Sequence, residues 1–298
     1  MVYRLALSLL LVFLTGCQAE SFSRPVTLAL LGDVLLGRGV QPSAETFAVL
    51  EPDLKAADLA LANLESPLTV APVTTASPYA LCAPPERVRF LVSAGFDLLS
   101  VANNHALDCD AEGLAETQRT LMAAGLGFLG SGPVYREING TQLAFLAFNA
   151  TAPEFDLETA TQAVRSARAT GAVVSVSIHW GAEYQSAASS RQKEIATQLA
   201  AAGAALIWGH HPHVLQPAAR IGKTLVLYSL GNALFDQAGM ENTRQSALAL
   251  VQLDQTGVMA LQVIPFELDM PQSRLTLARP AAKATILKFF EAALQPLR

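Results

Sequence analysis

Short apolar runs punctuate the chain, each ending on small or polar residues. They read VTLALLGD (26–33), LALANLE (59–65), DLLSVANNH (97–105), VVSVSIHWG (173–181), AALIWGHHPH (204–213) and LVLYSLGN (225–232). Runs of this kind, rich in Val, Leu and Ile and closed by Gly or Asn, predict strands buried on both faces. Between them lie segments with apolar positions at helical spacing. Residues 85–94 open on Pro85 and close on Gly95, while 111–124 and 190–202 stop at Gly125 and Gly203; a glycine just past the last periodic residue is a helix stop signal. Strand alternating with helix predicts an α/β fold. The last third changes character. SALALVQLD and VMALQVIPFEL flank Gly257 and predict an antiparallel pair, and KATILKFFEAAL predicts one amphipathic closing helix. Gly127, Gly130 and Gly132 fit no P-loop or dinucleotide spacing and predict a strand-to-loop turn.

Residues 26–298 read as one domain, with no linker to divide them. What precedes them reads differently. Arg4 is followed by the apolar run 5–14 and then by LTGC, ending at Cys17. A basic start, a brief apolar stretch and small residues describe a secretory signal, too short to span a bilayer comfortably. LTGC also resembles a bacterial lipobox, which implies cleavage before Cys17 and a lipid on its thiol. Residues 1–17 are then the signal and 18–25 a tether. The expected product is an exported lipoprotein, held at a membrane by its lipid anchor and facing the periplasm or the cell exterior. In a Gram-negative cell Gln18 would favour the outer membrane. Cys82 and Cys109 remain, and in an exported chain two thiols invite a disulfide; the alternative is two buried free thiols. Net charge is −5 with 15% charged residues and no basic stripe, so no nucleic-acid partner is expected.

The chemistry gathers at the run ends. Asp33 follows the first run, Glu65 the second, and Asn103, Asn104 and His105 the third. His179 and Glu183 follow the fourth, His210, His211 and His213 the fifth, and Asn232 the sixth, so that all five histidines of the chain stand at such ends. In α/β sheets the carboxyl ends of the strands form the rim where ligands bind. Imidazole, carboxylate and amide oxygen together suit one or two divalent ions such as Mn, Fe or Zn. Pro212 fixes its own φ and disfavours helix before it; in an extended HPH, His211 and His213 face the same side, and His210 points away, a residue that stands behind the ligands rather than among them. In ANNHALD the adjacent Asn104 and His105 likewise point apart, so that one can serve a metal and the other the substrate. Arg38 reads either as a solvated loop charge or as a local anion clamp. Glu183 reads as a group that orients a histidine or binds substrate. Trp180 and Trp208 read as packing, and Asn232 as a residue that locks backbone near the site.

Seven stretches, LLGDVLLGR, NLESPLT, GFDLLSVANNHALDCDAEGLAET, GLGFLGSG, SIHWGAEY, GHHPHVLQP and YSLGNALFD, occur in an order that resembles the CapA family across roughly residues 26–250. CapA proteins are bacterial capsule-synthesis proteins linked to poly-γ-glutamate, and they resemble a branch of the calcineurin-like metallophosphoesterases. The resemblance implies a layered α/β/β/α fold with its site at the carboxyl ends of the strands. It implies Asp33 and His213 on one metal, Asn104, His179 and His211 on a second, and Glu65 bridging the two. His105 would stand beside the substrate as acid or oxyanion partner. Glu183 and Arg38, read from the residues themselves, are further catalytic candidates. Two departures stand out. Leu35 occupies the position of a metal-binding histidine of the phosphoesterases, and the bridging acid is a glutamate rather than the usual aspartate. Two functions follow as expectations: a metal-dependent hydrolase or transferase acting on an envelope polymer or its precursor, poly-γ-glutamate or capsular polysaccharide, or a non-catalytic polymer-binding accessory protein with a degenerate metal site. A capsule or poly-γ-glutamate synthase complex is the expected protein partner.

Overall fold

The computed structural model describes residues 24–73, 79–237 and 239–294. Cys17, the signal segment and most of the tether lie outside them. Four strands come first: β1 (Val26–Val34), β2 (Leu59–Leu64), β3 (Leu98–Ser100) and β4 (Gly127–Leu129). Six follow: β5 (Val134–Ile138), β6 (Thr141–Asn149), β7 (Val173–His179), β8 (Ala204–His210), β9 (Leu215–Ile221) and β10 (Thr224–Leu230). The chain ends with β11 (Asn232–Leu234), β12 (Gln245–Asp254), β13 (Gly257–Asp269) and β14 (Arg274–Leu277). One sheet has the order β14-β13-β12-β1-β2-β3-β4 with β11 also on β1, and the other β5-β6-β7-β8-β10-β9. The helices are α1 (Glu51–Ala56), α2 (Val88–Ala94), α3 (Asp110–Ala123), α4 (Leu157–Ala169), α5 (Ser190–Ala201), α6 (Pro280–Lys288) and α7 (Glu291–Leu294).

The two sheets face each other, with helices outside both. Alternation along β1 shows why its run is apolar throughout: Leu28 and Leu30 enter the layer between the sheets, while Ala29 and Leu31 pack outward with Leu54, Leu91 and Leu121 of α1, α2 and α3. In β10, Leu225 and Leu227 face inward, and Val226 and Tyr228 pack outward with Val164 and Leu199 of α4 and α5. This is the expected α/β/β/α layering. The helix expected as one piece at the C-terminus is instead two. The carbonyl of Phe289 accepts from Ala218 N of β9 at 2.6 Å, which diverts it from the helical ladder and separates α6 from α7. Among the described residues no helix is long and apolar enough to cross a membrane.

The parallel strands bring their carboxyl ends into register. Asp33 stands beside both Asn63 and Asn232, and His179 beside His210. Two glycines permit the close approaches this needs. A Cβ on Gly32 would lie 1.8 Å from the carbonyl oxygen of Gly231, and one on Gly209 would lie 2.1 Å from that of Tyr228.

Cys82 and Cys109 are bonded, with Cα atoms 6.5 Å apart and a sequence separation of 27. The bond ties the segment before α2 to the start of α3, beside the loop that carries Asn104 and His105. Replacing both cysteines by serine is expected to lower stability by about 3.5 kcal/mol on the loop-entropy account. Urea midpoints of parent and variant measure it, and equal midpoints would contradict it.

Candidate metal centre

Glu65 lies at the centre. It is fully buried, and neither carboxylate oxygen has a hydrogen-bond partner. Its Oε1 lies 3.1 Å from His179 Nε2, and its Oε2 lies 3.9 Å from His213 Nε2. The two oxygens therefore face two different imidazoles. Asn104 Oδ1 reaches the same His179 Nε2 at 2.6 Å, and the His179 and His211 rings lie 4.7 Å apart. On the other side Asp33, also fully buried, has Oδ2 3.3 Å from His213 Nδ1.

Donor atoms come within 4.8 Å of one another in two overlapping groups, Glu65 with His211 and His213, and Asp33 with Glu65 and His179. Glu65 belongs to both. The structure thus gathers all six sequence-derived ligand candidates, although His179 also approaches the Asp33 side and His211 the His213 side. An ionised carboxylate sealed from water without a donor is costly. A divalent cation between its oxygens and the imidazoles removes that cost, so the residues present fit a metal.

Electrostatics point the same way. Burial, and next the charge of Asp33, raise the Glu65 carboxyl well above its ordinary range. Burial also opposes ionisation of Asp33, yet the hydrogen bond and charge of His213, with His210 and His179, hold it below the ordinary value. Burial opposes the charge on His213 too, but Glu65 and Asp33 raise it to about 9. Burial lowers His210 to about 4, and burial with the charge of His213 lowers His211 to about 4. His179 is depressed by burial and by His211. Without metal, burial therefore favours the protonated form of Glu65 and the acidic neighbours favour the charged form of His213, while burial favours the neutral, ligating form of His179 and His211. A divalent ion must displace those protons, so its affinity is expected to climb as pH rises toward about 9. Acid released on adding Mn(II) to weakly buffered protein at neutral pH measures this, and no release would contradict it.

The loop geometry corrects the sequence reading. HPH is not extended: His211 has φ 93° and His213 φ 56°. The turn brings His211 N to Asp33 Oδ2 at 3.2 Å. His210, the last residue of β8, turns from that loop toward Trp208 in the layer between the sheets, with its Nδ1 3.7 Å from Asp33 Oδ1. Arg38 (φ 48°) and Tyr184 (φ 62°) share this left-handed region, which costs energy outside glycine and clusters at functional sites.

A cavity of about 530 Å³ opens over the centre, lined by Arg38, Tyr79, Asn104, His105, Glu183, Tyr184 and His213 among others. Arg38 Nε donates to Asp236 Oδ2 at 3.0 Å, so Asp236 neutralises much of the charge an anion clamp would need. Glu183 is exposed at the mouth, beside Tyr184, whose phenol burial and Glu183 push up to about 12. His105 Nδ1 meets Asp108 Oδ2 at 2.9 Å, and the same carboxylate oxygen accepts from Leu81 N at 2.7 Å. Asn232 Oδ1 meets His213 Nδ1 at 2.9 Å, the kind of outer contact that fixes which ring nitrogen faces a metal. Trp180 and Trp208 are buried packing residues. Asp108 was missed in the sequence although it stands three residues after His105 in NNHALD. Asn63 was missed because it sits inside a strand; it donates to Asp33 Oδ1 at 2.8 Å and accepts from Asn103 Nδ2 at 3.2 Å.

A family model described as bacterial capsule synthesis protein PGA_cap matches residues 27–237. The chain belongs to this family. It is 30% identical to the capsule biosynthesis protein CapA of Bacillus anthracis, covering 82% of this chain and 68% of that one. It is also 30% identical to the PGA biosynthesis protein CapA of Bacillus subtilis (strain 168), covering 84% and 74%. Among solved structures, a hypothetical protein from Thermus thermophilus superposes with a TM-score of 0.54 at 18% identity, over 81% of this chain and 99% of that one. That likeness shows the fold alone. Within a capsule-synthesis family of metallophosphoesterase-like fold, the buried acid–histidine groups are candidate metal ligands.

Proposed function

We propose that this protein is a metal-dependent hydrolase or transferase that acts on an envelope polymer or its precursor, poly-γ-glutamate or a capsular polysaccharide. The observation that carries the reading is Glu65, buried with two unpartnered oxygens between the histidine that ends β7 and one in the loop after β8. The capsule and PGA biosynthesis names of the relatives support the polymer class. One or two ions of Mn, Fe or Zn, when bound, would polarise an oxygen of the scissile group and activate water. Asp33, Glu65, Asn104, His179, His211 and His213 would hold them. His105, oriented through Nδ1 by Asp108, has its other nitrogen free to donate a proton to a leaving group. Glu183 and Arg38 border the cavity and would orient the polymer.

We further propose, from the signal-like residues 1–17 ending on LTGC and from the names of the relatives, that the protein works outside the cytoplasm, anchored by a lipid on Cys17, beside a capsule or poly-γ-glutamate synthase complex. Leu35 supports a second reading, a polymer-binding accessory protein whose metal site is incomplete. Incubating metal-loaded protein with poly-γ-glutamate, capsular polysaccharide and a generic phosphodiester separates the two. Metal-dependent chain shortening, transfer or ester cleavage supports the enzyme. Polymer retention without bond cleavage supports the accessory protein.

A further inference from the structure

His210 is the one histidine of the chain to which neither the metal site nor proton transfer gives a task. It is 1% exposed, and neither ring nitrogen has a hydrogen-bond partner. Its ring meets Trp208 edge-on with centroids 4.6 Å apart, and Trp208 belongs to the apolar layer between the sheets. A polar ring sealed in such a layer is normally satisfied. An apolar side chain would fill the space without that liability, so the nitrogens need a reason to be there.

The nearest acceptor is Asp33. Its Oδ1 lies 3.7 Å from His210 Nδ1, too long for a hydrogen bond, and already accepts from Asn63 Nδ2 at 2.8 Å. Its Oδ2 faces the other way, toward His211 N at 3.2 Å and His213 Nδ1 at 3.3 Å. One oxygen of Asp33 is thus gripped from the sheet interior and the other presented to the histidine loop. Leu35 is fully buried in the apolar layer outside this sheet and offers no ligand, so the Asp33 position depends more heavily on how its carboxylate is held.

We propose that His210 is a positioning residue for Asp33: its ring N–H faces Oδ1 from the sheet interior at 3.7 Å, beside the Asn63 amide, and the attraction of its dipole for that oxygen keeps Oδ2 turned toward the loop where a cation would be held. This rests on the metal reading above. It extends that reading to a residue outside the ligand set, and the substitutions that test it leave every ligand in place.

The test is Mn(II) binding by the full chain purified in detergent, with parent, His210→Asn and His210→Phe compared by equilibrium dialysis. Asparagine places an amide N–H near the position of Nδ1. Phenylalanine keeps a ring against Trp208 and removes the donor; His210→Leu serves the same purpose if the larger ring does not fold. Outer contacts of metal ligands typically contribute about 10–100-fold in affinity. Phe or Leu is therefore expected to weaken Mn(II) binding by about that factor, and Asn to restore most of it. Thermal unfolding of the metal-stripped proteins separates a loss of fold from a loss of positioning. Parental affinity in the Phe and Leu variants would overturn the proposal, as would an Asn variant as weak as Phe. A parent that binds no metal would instead remove the reading on which it rests.

Discussion

Glu65→Gln is expected to abolish metal binding while leaving the protein folded. Glutamine matches the shape of glutamic acid but cannot give up a proton, and in the metal-free centre Glu65 holds its proton well above the ordinary carboxylate range. The substitution therefore changes little until a cation arrives. It then leaves both ligand groups, which share Glu65, without their common anion. The loss should exceed the roughly 10–100-fold typical of an outer contact. A second consequence concerns stability. A carboxyl whose pKa is raised by folding contributes stability that is present below its unfolded value and is lost as pH climbs through the folded one. The chelator-treated parent should therefore weaken as pH rises above the ordinary carboxylate range, and Glu65→Gln should lack that component. Melting curves after chelation, at acid and at neutral pH, measure this. A variant that retains parental metal content would show that Glu65 is not the bridge.

His105→Ala is expected to lower turnover on whatever polymer proves to be the substrate by about 10²–10⁴-fold, the usual range for a general acid or base, with metal content unchanged. His105 lines the cavity and its Nδ1 is engaged by Asp108, whereas Asn104 turns to His179. The two neighbours thus have different partners, as the proposed division of labour requires. Asp108→Asn should act in the same direction more weakly, by disturbing how the ring is held. Full turnover in His105→Ala would make this histidine a loop residue, and loss of metal would make it a ligand.

Much of the architecture was legible because strands buried on two faces leave uninterrupted apolar runs. β1, β7, β8 and β10 all read directly. The convergence of Asp33, Glu65, Asn104 and the histidines was legible because every one of them ends such a run. Other features rest on contacts between distant segments. The strand β6 begins on Thr141 and Gln142 and has only intermediate burial after Leu146, which blurs its pattern. The break between α6 and α7 depends on Ala218, far earlier in the chain. The backbone of HPH was misread because Pro212 argued for extended neighbours, whereas His211 and His213 both adopt left-handed backbone. Such strain is supported by the packing around it, which no local pattern records.

The central claim is that Glu65 and its neighbours hold divalent metal. The most direct measurement is elemental analysis of the purified chain, as isolated and after incubation with Mn, Fe or Zn followed by removal of free ion. The account predicts one or two tightly held ions per chain in the parent and none in Glu65→Gln. A parent that carries no metal after loading with any of the three ions would contradict it.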